Sequence, residues 1–105
     1  MDSNLEQSVT GSPIRLTAER WAHIVDTHCE LAGLRDEILE TIVRPERVLA
    51  GGGGEQLAVR ELEPGKWLVV VYREDLGDGF VITAFLTRRH RSLERRQQLW
   101  PSQQN

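Results

Sequence analysis

Trp67-Leu68-Val69-Val70-Val71-Tyr72 is the stretch that most limits what this chain can become. A nearly continuous apolar run, rich in β-branched and aromatic residues, suits a central strand covered on both faces for much of its length. Turn signals bound it on either side. Glu63-Pro64-Gly65-Lys66 sets proline before glycine, and Asp75-Leu76-Gly77-Asp78-Gly79 has the chemistry of a hairpin loop. Ahead of the first turn, Gln56 to Leu62 alternates, with Leu57, Val59 and Glu61 facing one way and Ala58, Arg60 and Leu62 the other. Beyond the second, Phe80 to Thr87 returns as a further strand. The pattern predicts an antiparallel meander.

Upstream the period changes. Thr17 has the character of an N-cap, and Glu19 stands in the first turn, where it complements the helix dipole. A helix running to about His28 puts Trp21, Ile24, Val25 and His28 on one broad face. The chain bends between Cys29 and Gly33, and a second helix follows with Leu34, Ile38, Leu39 and Ile42 at core spacing. Pro45 disfavours helical backbone at Arg44 and marks its end. Val48 and Leu49 read as an apolar staple, and Gly51-Gly52-Gly53-Gly54 as a hinge or wide turn. Ile14-Arg15-Leu16 reads as a short strand or an extended lead-in.

Helices first and strands afterwards predict an α+β domain, helix layer on antiparallel sheet. Residues 1–12 lack apolar periodicity and are expected to form a disordered tail, followed by one α+β domain over residues 13–88. Residues 89–105 form a basic C-terminal arm, with a short helix from Ser92 to Leu99 pinned by Leu93 and Trp100.

Composition narrows the function classes. No run approaches the ~18 apolar residues of a membrane helix. Met1 to Ser12 has neither the basic start nor the apolar core of a secretory signal, and a single cysteine rules out an internal disulfide framework. A reducing cytoplasm is the expected compartment. The net charge of −3 conceals an asymmetry. Residues 1–87 hold eight Lys/Arg against fifteen Asp/Glu, a balance of −7, whereas residues 88–105 hold five Arg against one Glu, a balance of +4. A basic arm on an acidic body suits either phosphate or the acidic surface of a protein partner.

Metal chemistry is not indicated. His23 and His28 are five residues apart, about 140° around a helix, and no Cys-x-x-Cys is present. The glycine run lacks the Gly-Lys-Ser/Thr ending of a phosphate loop and precedes a strand. No cofactor is implied. His23 has Glu19 at i−4 and Asp26 at i+3, either of which could orient an acid–base imidazole; a solvated charged face explains the same spacing. Arg60, Tyr72, Arg73, Thr83 and Thr87 interrupt otherwise apolar strands. Imidazole, guanidinium and hydroxyl groups brought together are the parts of a metal-independent RNA-cleaving site, with the substrate's 2′-hydroxyl as nucleophile. Exposed strand positions are an equally ordinary reason for such residues.

Trp21-x-His23-Ile24-x-x-x-His28-x-Glu30-Leu31, Pro45, Leu68-Val69-Val70-Val71-Tyr72-Arg73-Glu74 and Gly79-Phe80-Val81-Ile82-Thr83-Ala84-Phe85 together resemble a family of small phage and bacterial proteins. That family looks like the phage-associated branch of the barnase, EndoU, colicin and RelE-like nuclease superfamily. The resemblance covers residues 14–88. It implies helices on a four-stranded antiparallel sheet and metal-independent ribonuclease activity, often in toxins held by an antitoxin. His23 and His28 match the helical histidines and Thr83 the polar residue of the last strand, while Arg60 and Tyr72 fall where site-facing sheet residues would lie. Cys29 stands where relatives carry proline. The expected function is thus an RNA-cleaving toxin. His23 is its acid–base group, His28 the helper, Arg60 a phosphate clamp, and Tyr72 and Thr83 the positioning groups. The rival expectation is a catalytically inactive scaffold of the same fold that binds a protein partner or nucleic acid through its basic tail.

Overall fold

The computed structural model describes residues 3–75 and 77–102. In chain order the elements are β1 (Ser3–Gln7), β2 (Pro13–Thr17), α1 (Ala18–Thr27), a 3-10 turn (Cys29–Leu31), α2 (Arg35–Val43), β3 (Arg47–Ala50), β4 (Gln56–Glu63), β5 (Lys66–Asp75), β6 (Asp78–Thr87), α3 (His90–Glu94) and β7 (Gln98–Trp100).

The expected four-stranded meander is corrected to a seven-stranded mixed sheet of order β1-β2-β6-β5-β4-β3-β7. β4, β5 and β6 do form the meander, with Val59 opposite Val69 and Val69 opposite Phe85. Four further strands extend it. Val48 and Leu49 form no staple: they belong to β3, and both are buried because one contributes to the core on each side of the sheet. Ile14 and Leu16 lie two apart in β2, fully buried, and β2 runs parallel to β6 with Arg15 opposite Phe80. Residues 3–7, expected within a disordered tail, pair antiparallel with β2. An edge strand pairs through its backbone and needs no apolar alternation, which is why Ser3-Asn4-Leu5-Glu6-Gln7 gives no strand signal. The expected helix from Ser92 to Leu99 is replaced by α3, which ends at Glu94, and by β7, which pairs with β3. Pro101 biases Trp100 towards extended backbone and so works against a helix there.

The helices form where the local code asks. Thr17 caps α1, its side-chain oxygen accepting from the Arg20 amide at 3.0 Å. α2 stops at Val43, two residues before Pro45. Together they carry the chain from β2 across the sheet to β3, and Ile24, Leu31, Ile38 and Ile42 pack there against Ala58, Leu68, Val70, Tyr72, Val81 and Ala84. The opposite face gathers Leu49, Leu57, Val59, Val69 and Val71 into a second cluster, which Leu93 of α3 completes. β5 is therefore covered on both sides, as its apolar run requires. A register shift between β5 and β6 pairs Val71 with Thr83 but Tyr72 with Val81, leaving Ile82 as the extra residue of a bulge.

β6 enters the sheet through a close approach at Gly79. A Cβ there would lie 2.6 Å from the Arg73 carbonyl oxygen and 2.7 Å from Ile14 Cδ1. Backbone cannot move aside as a flexible side chain can. Gly79→Ala is expected to cost about 1–3 kcal/mol in urea unfolding. Gly33→Ala, with nothing within 4 Å of the added atom, should stay within about 0.5 kcal/mol of the parent.

Candidate functional site

The five sequence-expected site residues do not converge. His23 is exposed on α1 and lines an open depression of about 310 Å³ with Thr17, Glu19 and Arg20. His28 closes α1, its amide donating to the Ile24 carbonyl at 2.7 Å, and its Nδ1 lies 3.7 Å from a Glu30 carboxylate oxygen. Arg60 faces the helix layer but is already occupied. Its Nε donates to Thr41 Oγ1 at 3.2 Å, and one terminal nitrogen reaches both the Glu37 carbonyl and the Glu37 carboxylate. Thr41 is fully buried and donates in turn to the Glu37 carbonyl at 2.7 Å. Arg60 is thus a brace from β4 to α2. Tyr72 also points into the helix-side core, only 1% exposed. Burial pushes its phenol well above the ordinary range, helped by the Glu74 carboxylate. Thr83 stands opposite Val71, on the other side of the sheet.

That other side holds a groove of which the sequence shows only the basic arm and its Leu93 anchor. A groove of about 330 Å³ opens between α3 and the sheet. Leu57, Phe85 and Leu93 supply its apolar floor, and Thr87, Arg89, Ser92 and Arg96 its polar rim. The local backbone explains its shape. Thr87 Oγ1 accepts from the Arg89 amide at 3.0 Å and turns the chain out of β6, and Leu93 then anchors α3 with 3% of its surface exposed. His90 lies tilted against Trp67, ring centroids 5.9 Å apart. Arg96 is held at the far side by a bond from Nη1 to the Ala50 carbonyl at 3.2 Å.

Electrostatics single out the same segment. Arg88, Arg89, Arg91, Arg95 and Arg96 are all exposed, and among the described residues none lies within salt-bridge distance of a carboxylate. Elsewhere Arg15, Arg44 and Arg60 are paired with acids; Arg20, Arg35, Arg47, Lys66 and Arg73 also make no ion pair among the described residues, but all five are half-buried and scattered over the chain. The sequence signal for the groove was available in outline: a lone apolar residue, Leu93, set among arginines. Which sheet face it would reach depended on the β6 bulge.

Another depression, between β1 and α2, is lined by Glu6, Asp36 and Glu40 with Arg44, whose guanidinium pairs with Glu40 at 2.7 Å. Among the described residues no three His, Cys, Asp or Glu side chains are grouped closely enough to hold a metal ion. No helix among the described residues is long and apolar enough to cross a membrane. No protein-family model, curated protein or solved structure matches this chain.

Two outcomes follow from these placements. Tyr72 is the sole tyrosine, so ultraviolet titration reads it directly. Its folded-state pKa lies above the unfolded value of about 10, so burial of the neutral phenol contributes fully below that pH and is lost as pH rises. Tyrosinate absorbance should therefore appear only together with alkaline unfolding; a smooth titration near pH 10 in folded protein would contradict the burial. Arg60→Met retains the aliphatic stem and removes the brace. It should lower unfolding stability by about 1–2 kcal/mol, a figure kept small because the Glu37 side chain is half exposed.

Proposed function

We propose that this protein is a non-catalytic binding domain that engages an acidic protein partner through its basic C-terminal segment. The observation that carries the reading is the set of five exposed arginines, unneutralised within the described residues, fixed against the sheet by Leu93 rather than trailing from it. An acidic partner would supply the missing charge and dock on a pre-ordered surface, which lowers the entropy cost of association.

Two features favour a protein over nucleic acid. Net positive charge is found only in the C-terminal segment, while residues 1–87 hold fifteen Asp/Glu against eight Lys/Arg and sum to −7, so a phosphate backbone running beyond the segment would meet a body of the same sign on balance. The groove floor is aliphatic and half-buried aromatic, better suited to apolar side chains than to a row of stacked bases.

Hydrolysis of RNA finds less support. Arg60 is engaged by Glu37 and Thr41, Tyr72 is in the core, and Thr83 lies across the sheet from the α1 histidines. A ribonuclease needs its acid–base group, clamp and positioning hydroxyl around one scissile phosphate. We take the cytoplasm as the compartment, because a lone exposed thiol suits reducing surroundings.

Incubating the protein with a labelled RNA pool in EDTA separates the readings. The binding domain leaves the RNA intact in wild type, His23→Ala and His28→Ala alike. Cleavage with 2′,3′-cyclic ends, lost in either variant, would replace this proposal with the ribonuclease.

A further inference from the structure

We propose that the groove between α3 and the sheet is a specific receptor for a short partner segment in which acidic and large apolar residues alternate. The segment's apolar side chain would enter the floor, and its carboxylates would meet Arg89 and Arg96. This rests on the binding-domain reading and makes it specific: without a protein partner there is no such segment.

The groove is more than a patch of charge. Arg89 and Arg96 line it together with the apolar floor and with Thr87 and Ser92. At about 330 Å³ it is at the lower end of ligand-site volumes, room for one large side chain and part of a neighbour. Leu57 and Leu93 are almost fully buried, so the floor is preformed and costs little to organise. Arg96 is tethered to Ala50, and the Arg89 backbone is fixed by Thr87. One guanidinium, that of Arg96, is thus held in place, and the other springs from a fixed backbone position; a guanidinium pairs readily with carboxylate through two parallel hydrogen bonds. Arg91 and Arg95 lie in the same run but do not line the groove. They offer only general attraction, which separates the two roles experimentally.

The test is fluorescence anisotropy with two labelled peptides of equal charge, Gly-Asp-Leu-Asp-Phe-Glu-Leu and Gly-Asp-Ser-Asp-Ser-Glu-Ser, and a labelled oligouridylate. They are titrated into wild type, the double variant Arg89→Glu/Arg96→Glu and the double variant Arg91→Glu/Arg95→Glu, each shown to be folded by its melting curve. The apolar peptide should bind wild type at least about tenfold tighter than its serine counterpart, as burial of a leucine or phenylalanine side chain implies. Arg89→Glu/Arg96→Glu should abolish that binding, while Arg91→Glu/Arg95→Glu should weaken it only about two- to threefold, as loss of solvated charges does. Equal affinity for the two peptides, or equal losses in the two variants, would overturn the groove receptor and leave the basic segment as a general acid-binding surface. Failure of both peptides to bind, with or without binding of oligouridylate, would overturn the groove receptor and the binding-domain reading together.

Discussion

Burial of β5 on both faces is the constraint on which the rest of this structure depends. Leu68, Val70 and Tyr72 need cover on one side, and Val69 and Val71 on the other. α1 and α2 supply the first cover on their way from β2 to β3. Nothing in that path reaches the second face. It is closed from the C-terminal side, where Leu93 joins the cluster of Leu49, Leu57, Val59, Val69 and Val71. Burying one leucine side chain contributes about 1.5–3 kcal/mol, enough to hold a one-and-a-half-turn helix that could not persist alone. The backbone that carries the arginines on either side of Leu93 is consequently anchored against the sheet.

The same two-sidedness explains why the anticipated catalytic set does not assemble. Residues on one strand alternate between faces, and a bulge resets that alternation. With Ile82 inserted opposite the Val71–Tyr72 step, Val81 joins Tyr72 beneath the helices while Thr83 joins Val71 on the α3 side. Arg60 does face the helices. There it meets Glu37 and Thr41, and its hydrogen-bonding capacity serves the β4–α2 junction.

Much of the scaffold was legible from residues alone because its signals are local. The Thr17 cap, the α2 stop before Pro45, the Pro64-Gly65 turn and the β4–β5–β6 meander each follow from a short stretch of sequence. β3 was hidden because Val48-Leu49 is too short to show a period. β1 and β7 were hidden because edge strands are held by backbone pairing, which leaves no apolar trace. The site was less legible than the fold. Strand parity beyond a bulge, and the occupation of Arg60 by a residue 23 positions away, are tertiary facts. The basic segment was visible as charge, but its docking depended on Leu93 meeting a face that only the completed sheet defines.

What distinguishes a receptor surface from an active centre here is where a ligand leaves its mark. The most direct measurement is amide chemical-shift mapping by NMR while Gly-Asp-Leu-Asp-Phe-Glu-Leu is titrated in. The shifts should concentrate on Leu57 and on Phe85 to Arg96, leaving His23, His28 and Arg60 unmoved. Shifts centred on α1 and its histidines, with the α3 groove silent, would contradict the account.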